Sequence, residues 1–156
     1  MHMHLSRYDQ SEEPSSRPTL YVREFRRAAR ALTQVYDDAL RPLGLRTTQF
    51  TILQALSLTG EVSQGELGEI LALDSTTLTR TLAIMRRQCW IAKRRGRDGR
   101  EHLLSLSEAG RAQFDRVSPA WQDAQELLRS QVGGERWEQM FQQSREITAA
   151  AKGGSL

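Results

Sequence analysis

The sequence predicts a mainly α fold with a small β-hairpin, an α+β chain, and three observations carry that expectation. Apolar residues recur at helical spacing near both ends of the chain. Two short segments with helix-capping signals fill the middle. Directly after them, two strand-like runs flank the glycine-bounded turn Gly96-Arg97-Asp98-Gly99.

Residues 1–18 are polar, contain Pro14 and Pro18, and are expected to form a flexible tail in which His2 and His4 are solvated. Over residues 19–43 the apolar positions Tyr21/Val22, Phe25, Ala28/Ala29, Leu32, Val35/Tyr36 and Ala39/Leu40 mark one helix face, with Arg23, Arg26, Arg27 and Arg30 between them. Pro42 and Gly44 end that helix. Residues 49–58 form a second helix, with Phe50, Ile52, Leu53 and Leu56 turned inward and Gly60 as its stop.

Ser63 followed by Glu66 is a capping box, in which each side chain satisfies a free amide near the other. The helix it starts has Leu67, Ile70 and Leu71 as its apolar face. After a break at Ala72-Leu73, Asp74 caps the next helix, whose buried face is Leu78, Leu82 and Met85. The strand pattern then gives residues 90–94 and 101–106 as the two arms of the hairpin. Ser107 caps a long helix that Pro119 should bend, because proline removes one backbone hydrogen bond. Gly133-Gly134 breaks it, and residues 135–151 form a last amphipathic helix ahead of a flexible end at 152–156.

Composition narrows the function classes. The chain has 156 residues and is expected to form one domain with accessory helices. Cys89 is its sole cysteine, which excludes an internal disulfide and multi-cysteine zinc sites. No run is apolar enough to span a bilayer or to serve as a signal peptide, so a cytoplasmic location without membrane association is expected. No phosphate loop, dinucleotide fingerprint, GxSxG elbow or HExxH is present, and neither an enzyme nor a cofactor is expected. Asp37 and Asp38, with Glu24, are the only paired acids worth weighing, and they fall on a solvent-facing arc.

Charge is concentrated rather than large. The net charge is +3, yet residues 80–100 hold eight cations (Arg80, Arg86, Arg87, Lys93, Arg94, Arg95, Arg97 and Arg100) against Asp98 alone. Such a patch repels itself unless something negative faces it. The helix over 74–87 presents short polar groups first (Ser75, Thr76, Thr77 and Thr79) and long cations later (Arg80, Arg86 and Arg87). That order suits a helix laid in a DNA groove, with Thr77 turned partly inward. The arginines of the hairpin, Arg94, Arg97 and Arg100 among them, suit a wing lying on the phosphate backbone and in the minor groove. Asp98 is expected either to pair with a neighbouring arginine or simply to favour the turn. Cys89 is expected to be a buried structural thiol, and His102 a surface residue.

The run from Leu45 to Gly110, with its DSTTLTR segment, RDGR turn and closing LSEAG, resembles the core of the MarR family of bacterial winged helix-turn-helix transcriptional regulators. Together with flanking helices the resemblance covers about residues 20–150. It implies a dimerisation helix at 19–46, a winged helix-turn-helix lobe at 47–106 and C-terminal dimerisation helices at 107–151. It implies a homodimer on a palindromic double-stranded DNA operator, acting as a repressor. In the matching positions Ser75, Thr76, Thr77, Arg80 and Arg86 face DNA, Arg97 and Arg100 contact it from the wing, and Asp98 anchors an arginine. A small aromatic or anionic effector would enter a cleft, for which Arg26, Arg30, Phe50, Leu53 and Phe114 are the candidates. Three departures stand out. Arg46 occupies a position where members often have a capping Ser or Thr, so Thr47 is expected to cap instead. Cys89 replaces a usual glycine, and helix 1 lacks the cysteine of the peroxide-sensing branch. A non-specific architectural or RNA-binding winged-helix protein, or an interaction dimer without DNA binding, are the competing functions.

Overall fold

The computed structural model describes residues 18–153, which fall into two compact units, divided between Gln34 and Val35. The tail expected at 1–18 lies outside the described residues except for Pro18, which is already helical, where proline suits a first turn that has no amide to satisfy. Likewise Lys152 and Gly153 extend the last helix beyond the expected stop, and 154–156 lie outside.

In the first unit the described residues are the leading turns of α1 (Pro18–Leu40). Tyr21, Val22 and Phe25 are each about half exposed, leaving an apolar stripe open on this helix. Arg27 donates to Glu24 one turn earlier at 3.2 Å.

The second unit begins with the end of α1, where Tyr36 and Leu40 are buried. A 3-10 turn, Arg41–Leu43, carries the expected Pro42, and Gly44 closes it at φ 80°. Next come α2 (Thr47–Thr59), β1 (Val62–Ser63), α3 (Gln64–Leu71), α4 (Ser75–Arg87), β2 (Ile91–Arg95), β3 (His102–Leu106), α5 (Glu108–Val132) and α6 (Gly134–Gly153). The two-residue β1 is too short to leave a periodic signal. It pairs with β3, giving a three-stranded antiparallel sheet in the order β1-β3-β2.

The core of this unit is assembled around α2, whose Phe50, Ile52, Leu53 and Leu56 are all essentially inaccessible. Leu67 from α3, Leu78, Leu82 and Met85 from α4, Ile91 and Leu104 from the sheet and Val117 from α5 close over it. Ile70, expected inside, is instead exposed, because Leu67 and Leu71 lie four apart on one face of α3 and Ile70 sits to its side. An aromatic stack joins three helices: Tyr36 lies 3.8 Å from Trp121, and Phe50 lies 4.3 Å from Trp121 and 5.7 Å from Phe114 between ring centres. Such contacts add about 0.5–1.5 kcal/mol each beyond the area they bury. Burial also raises the Tyr36 hydroxyl above the usual tyrosine pKa.

Helix α5 runs without interruption through the exposed Pro119. Its N-terminus is seated against the α4–β2 junction. Ser107 accepts from the Gly110 amide at 3.0 Å, while its own amide donates to the Trp90 carbonyl at 3.0 Å. Gly133, at φ 96°, separates α5 from α6, and Trp137 then buries itself beside Phe141. Leu127, Val132, Phe141 and Ile147 remain exposed along these two helices.

Candidate nucleic-acid interface

The start of α2 shows how the lobe is anchored. Arg46 is the N-cap residue, with extended backbone, and Gln49 Oε1 accepts its amide hydrogen at 3.0 Å. Thr47 is therefore not the cap. Its amide donates to Asp37 Oδ1 at 2.7 Å, so a carboxylate from the end of α1 supplies the acceptor that an Arg side chain lacks. Asp37 is half-buried in this structural role rather than placed on a solvent-facing arc.

The helix-turn-helix is built from two caps. Ser63 Oγ accepts from the Glu66 amide at 3.2 Å, and Glu66 returns a carboxylate to the Ser63 amide at 3.0 Å, which completes the expected capping box. Ala72 takes the left-handed conformation at φ 51° to end α3. Asp74 then caps α4, accepting from the Thr77 amide at 3.2 Å and from the Thr77 hydroxyl at 2.8 Å. These two bonds, aided by the charge of Arg80, hold the Asp74 carboxyl below its usual pKa. Gly68 lets the helices close, since a Cβ there would already touch Leu78 at 3.4 Å.

The polar side of α4 is less uniform than its sequence suggests. Thr77 is exposed rather than partly inward, but its hydroxyl is engaged by Asp74. Thr79 accepts from Gln64 Nε2 of α3 at 3.0 Å, a bond that fixes the two helices to each other. Ser75 and Thr76 are exposed and their hydroxyls make no hydrogen bond among the described residues. Arg80, Arg86 and Arg87 are exposed too, and none forms a close ion pair among the described residues. Two free hydroxyls and three free guanidinium groups thus share the open face of α4.

The hairpin adds a second cationic arm. Its strands are in register from Ile91 opposite Leu106 to Arg95 opposite His102, and only Ile91 of β2 is buried. At the tip the Gly96 amide donates to Glu101 O at 2.7 Å, and Gly99 sits at φ 71°. Asp98 Oδ1 accepts from the Arg100 and Glu101 amides at 3.1 and 3.2 Å. It meets no arginine side chain among the described residues, so the expected ion pair is absent and Asp98 shapes the turn. Arg97 and Arg100 are exposed, without side-chain partners among the described residues, and His102 is exposed as expected.

Arg94 differs from the other wing cations. Its Nε donates to Glu61 Oε2 at 2.7 Å and its Nη2 bonds Glu61 Oε1. The pair lowers the Glu61 carboxyl below the usual range and raises Arg94 further, chiefly through these hydrogen bonds. Glu61 and Gln64 are the site residues that sequence inspection missed. Their partners lie 33 and 15 residues away, and no spacing rule links positions that distant.

Cys89 corrects another expectation. It is exposed, with φ 61°, at the turn between α4 and β2. The positive φ explains why a glycine suits this position and turns the thiol away from the core. Among the effector-cleft candidates, Arg26 and Arg30 are exposed in the first unit. Phe50 and Leu53 are buried in the core of the second unit and Phe114 is half-buried there. Among the described residues no group of three or more His, Cys, Asp or Glu could hold a metal ion. No described helix is long and apolar enough to cross a membrane.

Two capped helices at the base of a three-stranded sheet, with a cationic hairpin beside the second helix, define a winged helix-turn-helix regulator of transcription. The family model for MarR matches residues 43–101, which hold α2, β1, α3, α4, β2 and the turn of the hairpin. The Mycobacterium tuberculosis transcriptional regulator MosR, solved in complex with DNA, is 36% identical. The match covers 86% of this chain and 98% of that one with a TM-score of 0.76. The HTH-type transcriptional regulator YwoH of Bacillus subtilis is 26% identical over 97 residues, 62% of this chain and 71% of that protein. A cysteine-to-serine mutant of Escherichia coli MarR, complexed with operator DNA, superposes with a TM-score of 0.75 over 87% of this chain and 99% of that one, at 17% identity, a likeness of fold. The chain belongs to the MarR family, and its relatives are transcriptional regulators.

Proposed function

We propose that the protein is a sequence-specific repressor that binds a palindromic operator as a homodimer. The single observation that carries this reading is the open face of α4. Ser75, Thr76, Arg80, Arg86 and Arg87 are all exposed, and Arg97 and Arg100 stand free on the adjacent wing. Short groups at the N-terminus of α4 suit base edges, and the arginines suit phosphates or guanine edges. MosR was solved on DNA, and this chain shares over a third of its sequence.

Dimerisation is supported by the apolar side chains left open on α1, α5 and α6, including Phe25, Leu127, Phe141 and Ile147. A two-fold pair would cover them and would set two recognition helices about one DNA turn apart, roughly 34–36 Å. A small aromatic or anionic effector that releases the operator is the remaining part of the proposal. It rests on the family alone. A cytoplasmic location goes with this function.

The test is a mobility-shift titration of the purified protein on the intergenic DNA upstream of its own gene, against scrambled duplex at moderate salt. A symmetric footprint with strong preference for the upstream fragment supports an operator-binding dimer. Equal, weak binding to both duplexes would favour the architectural alternative, and no binding to either would favour the interaction dimer.

A further inference from the structure

We propose that Glu61 is a wing-positioning residue: its two-pronged ion pair with Arg94 fixes the hairpin on the DNA-binding lobe, and Arg94 serves DNA binding through Glu61 rather than by touching phosphate. The inference rests on the DNA-binding reading and reassigns one of the wing cations within it. Three features of the geometry carry it.

First, all three nitrogens of the Arg94 guanidinium donate to acceptors within the chain. Nε and Nη2 bond the two carboxylate oxygens of Glu61, and Nη1 donates to the Arg95 carbonyl at 3.3 Å. A planar fork meeting a carboxylate in this way fixes direction as well as distance. Second, the pair spans the sheet. Glu61 directly precedes β1, Arg94 lies on β2, and β3 runs between them with Leu103 opposite both Ser63 and Arg94. Third, the outer strand β2 has little besides its ladder to β3 to hold it. Beyond Ile91 every residue of β2 is exposed, so no core side chain on that strand fixes the direction of the cationic tip.

Charge makes the proposal testable by sign. A carboxylate within a DNA-facing cationic patch repels phosphate, so Glu61→Gln should tighten binding if electrostatics alone operate. A positioning role requires the opposite. With full-length protein on the upstream fragment, Glu61→Gln and Arg94→Gln should each weaken binding at least about threefold, and the double variant should be no weaker than either single. The charge-exchanged pair Glu61→Arg with Arg94→Glu should recover most of the loss. The slope of log K against log salt should stay at the wild-type value in Arg94→Gln, whereas a lost phosphate contact would flatten it by about 0.9. Hydrogen exchange of the amides over residues 96–102 should accelerate in Glu61→Gln, with an unchanged thermal midpoint showing that the fold is intact. Tighter binding by Glu61→Gln, a flattened slope in Arg94→Gln, or unaltered exchange at the wing would each overturn the assignment. Failure of the wild type to bind DNA would refute the parent reading instead, and the exchange measurement would still decide whether the strut holds the hairpin.

Discussion

Gly110 closes the LSEAG segment, and the reason a glycine stands there can be tested by one added methyl group. A Cβ built on Gly110 would lie 2.1 Å from the Trp90 carbonyl oxygen and 2.9 Å from its carbon, where real side chains keep at least 3.0 Å. The obstacle is backbone, so no rotamer change relieves it. Either α5 or the first residues of the wing must retreat by about 0.9 Å. The Trp90 carbonyl also accepts the Ser107 amide at 3.0 Å, so the retreat strains the cap of α5 as well. Overpacking of this kind costs about 1–3 kcal/mol, and a weakened hydrogen bond about 1 kcal/mol more. Alanine's helix propensity returns about 1 kcal/mol. The net expectation for Gly110→Ala is a loss of about 1–3 kcal/mol, or a midpoint lowered by roughly 3–10 °C for a chain of this size.

Gly65→Ala is the matched control, because a Cβ there meets nothing within 4 Å and the residue is exposed in α3. It should gain up to about 1 kcal/mol. Thermal and urea melts at one protein concentration measure both variants without confusing folding with self-association. If Gly110→Ala melts at or above the wild-type temperature while Gly65→Ala behaves as expected, the close approach of α5 to the wing is refuted.

Other outcomes follow from the same contacts. Ser107→Ala should cost about 1–2 kcal/mol by chemical denaturation, since one hydroxyl caps α5 and also donates to the Cys89 carbonyl. Asp74 has a folded-state pKa below its unfolded value, so its cap stabilises fully above about pH 4 and is lost as pH falls through the lower folded value. Asp74→Asn should accordingly flatten the acid limb of the lobe's stability curve, and a limb unchanged by the substitution would contradict the sign. Cys89→Gly should stabilise by up to about 1 kcal/mol by relieving a left-handed residue, and the wild-type thiol should react with a thiol reagent in the native state. Arg80→Ala should reduce discrimination between operator and scrambled duplex, while Arg100→Ala should weaken both and flatten the salt slope by about 0.9. Equal effects of the two variants on the two duplexes would defeat that division of roles.

How far the sequence can be read depends on how local each determinant is. The two caps of the helix-turn-helix, Ser63 with Glu66 and Asp74 with Thr77, close within three residues, and so their signals are complete in the sequence. The buried faces of α2 and α4 are legible for the same reason, each being a repeat within one helix. Determinants that join distant segments are not. Asp37 bonding the start of α2 spans ten residues, and it displaces the expected cap at Thr47 because a neighbouring helix supplies a better acceptor. Side-chain character suggests burial for Cys89, whereas its left-handed backbone turns it outward. For Ile70, a helix of eight residues leaves room for two overlapping apolar patterns, and packing of Leu67 and Leu71 into the core selects the one that excludes it.

The candidate interface shows the same division in its chemistry. Residue type nominates four hydroxyls on α4, Ser75, Thr76, Thr77 and Thr79, yet two are engaged by the lobe that presents the others. Thr77 holds Asp74 and Thr79 holds Gln64, which leaves Ser75 and Thr76 for a ligand. The wing is sorted likewise: Arg94 is engaged by Glu61 and Asp98 by backbone amides, while Arg97 and Arg100 have no side-chain partner among the described residues. A helix rich in threonine carries a propensity cost, and part of that cost is offset when the hydroxyls tie one helix to the next. The cationic patch therefore has two kinds of member. Some set the shape of the surface and others are available to an anion, and only the second kind should appear in the salt dependence of DNA binding.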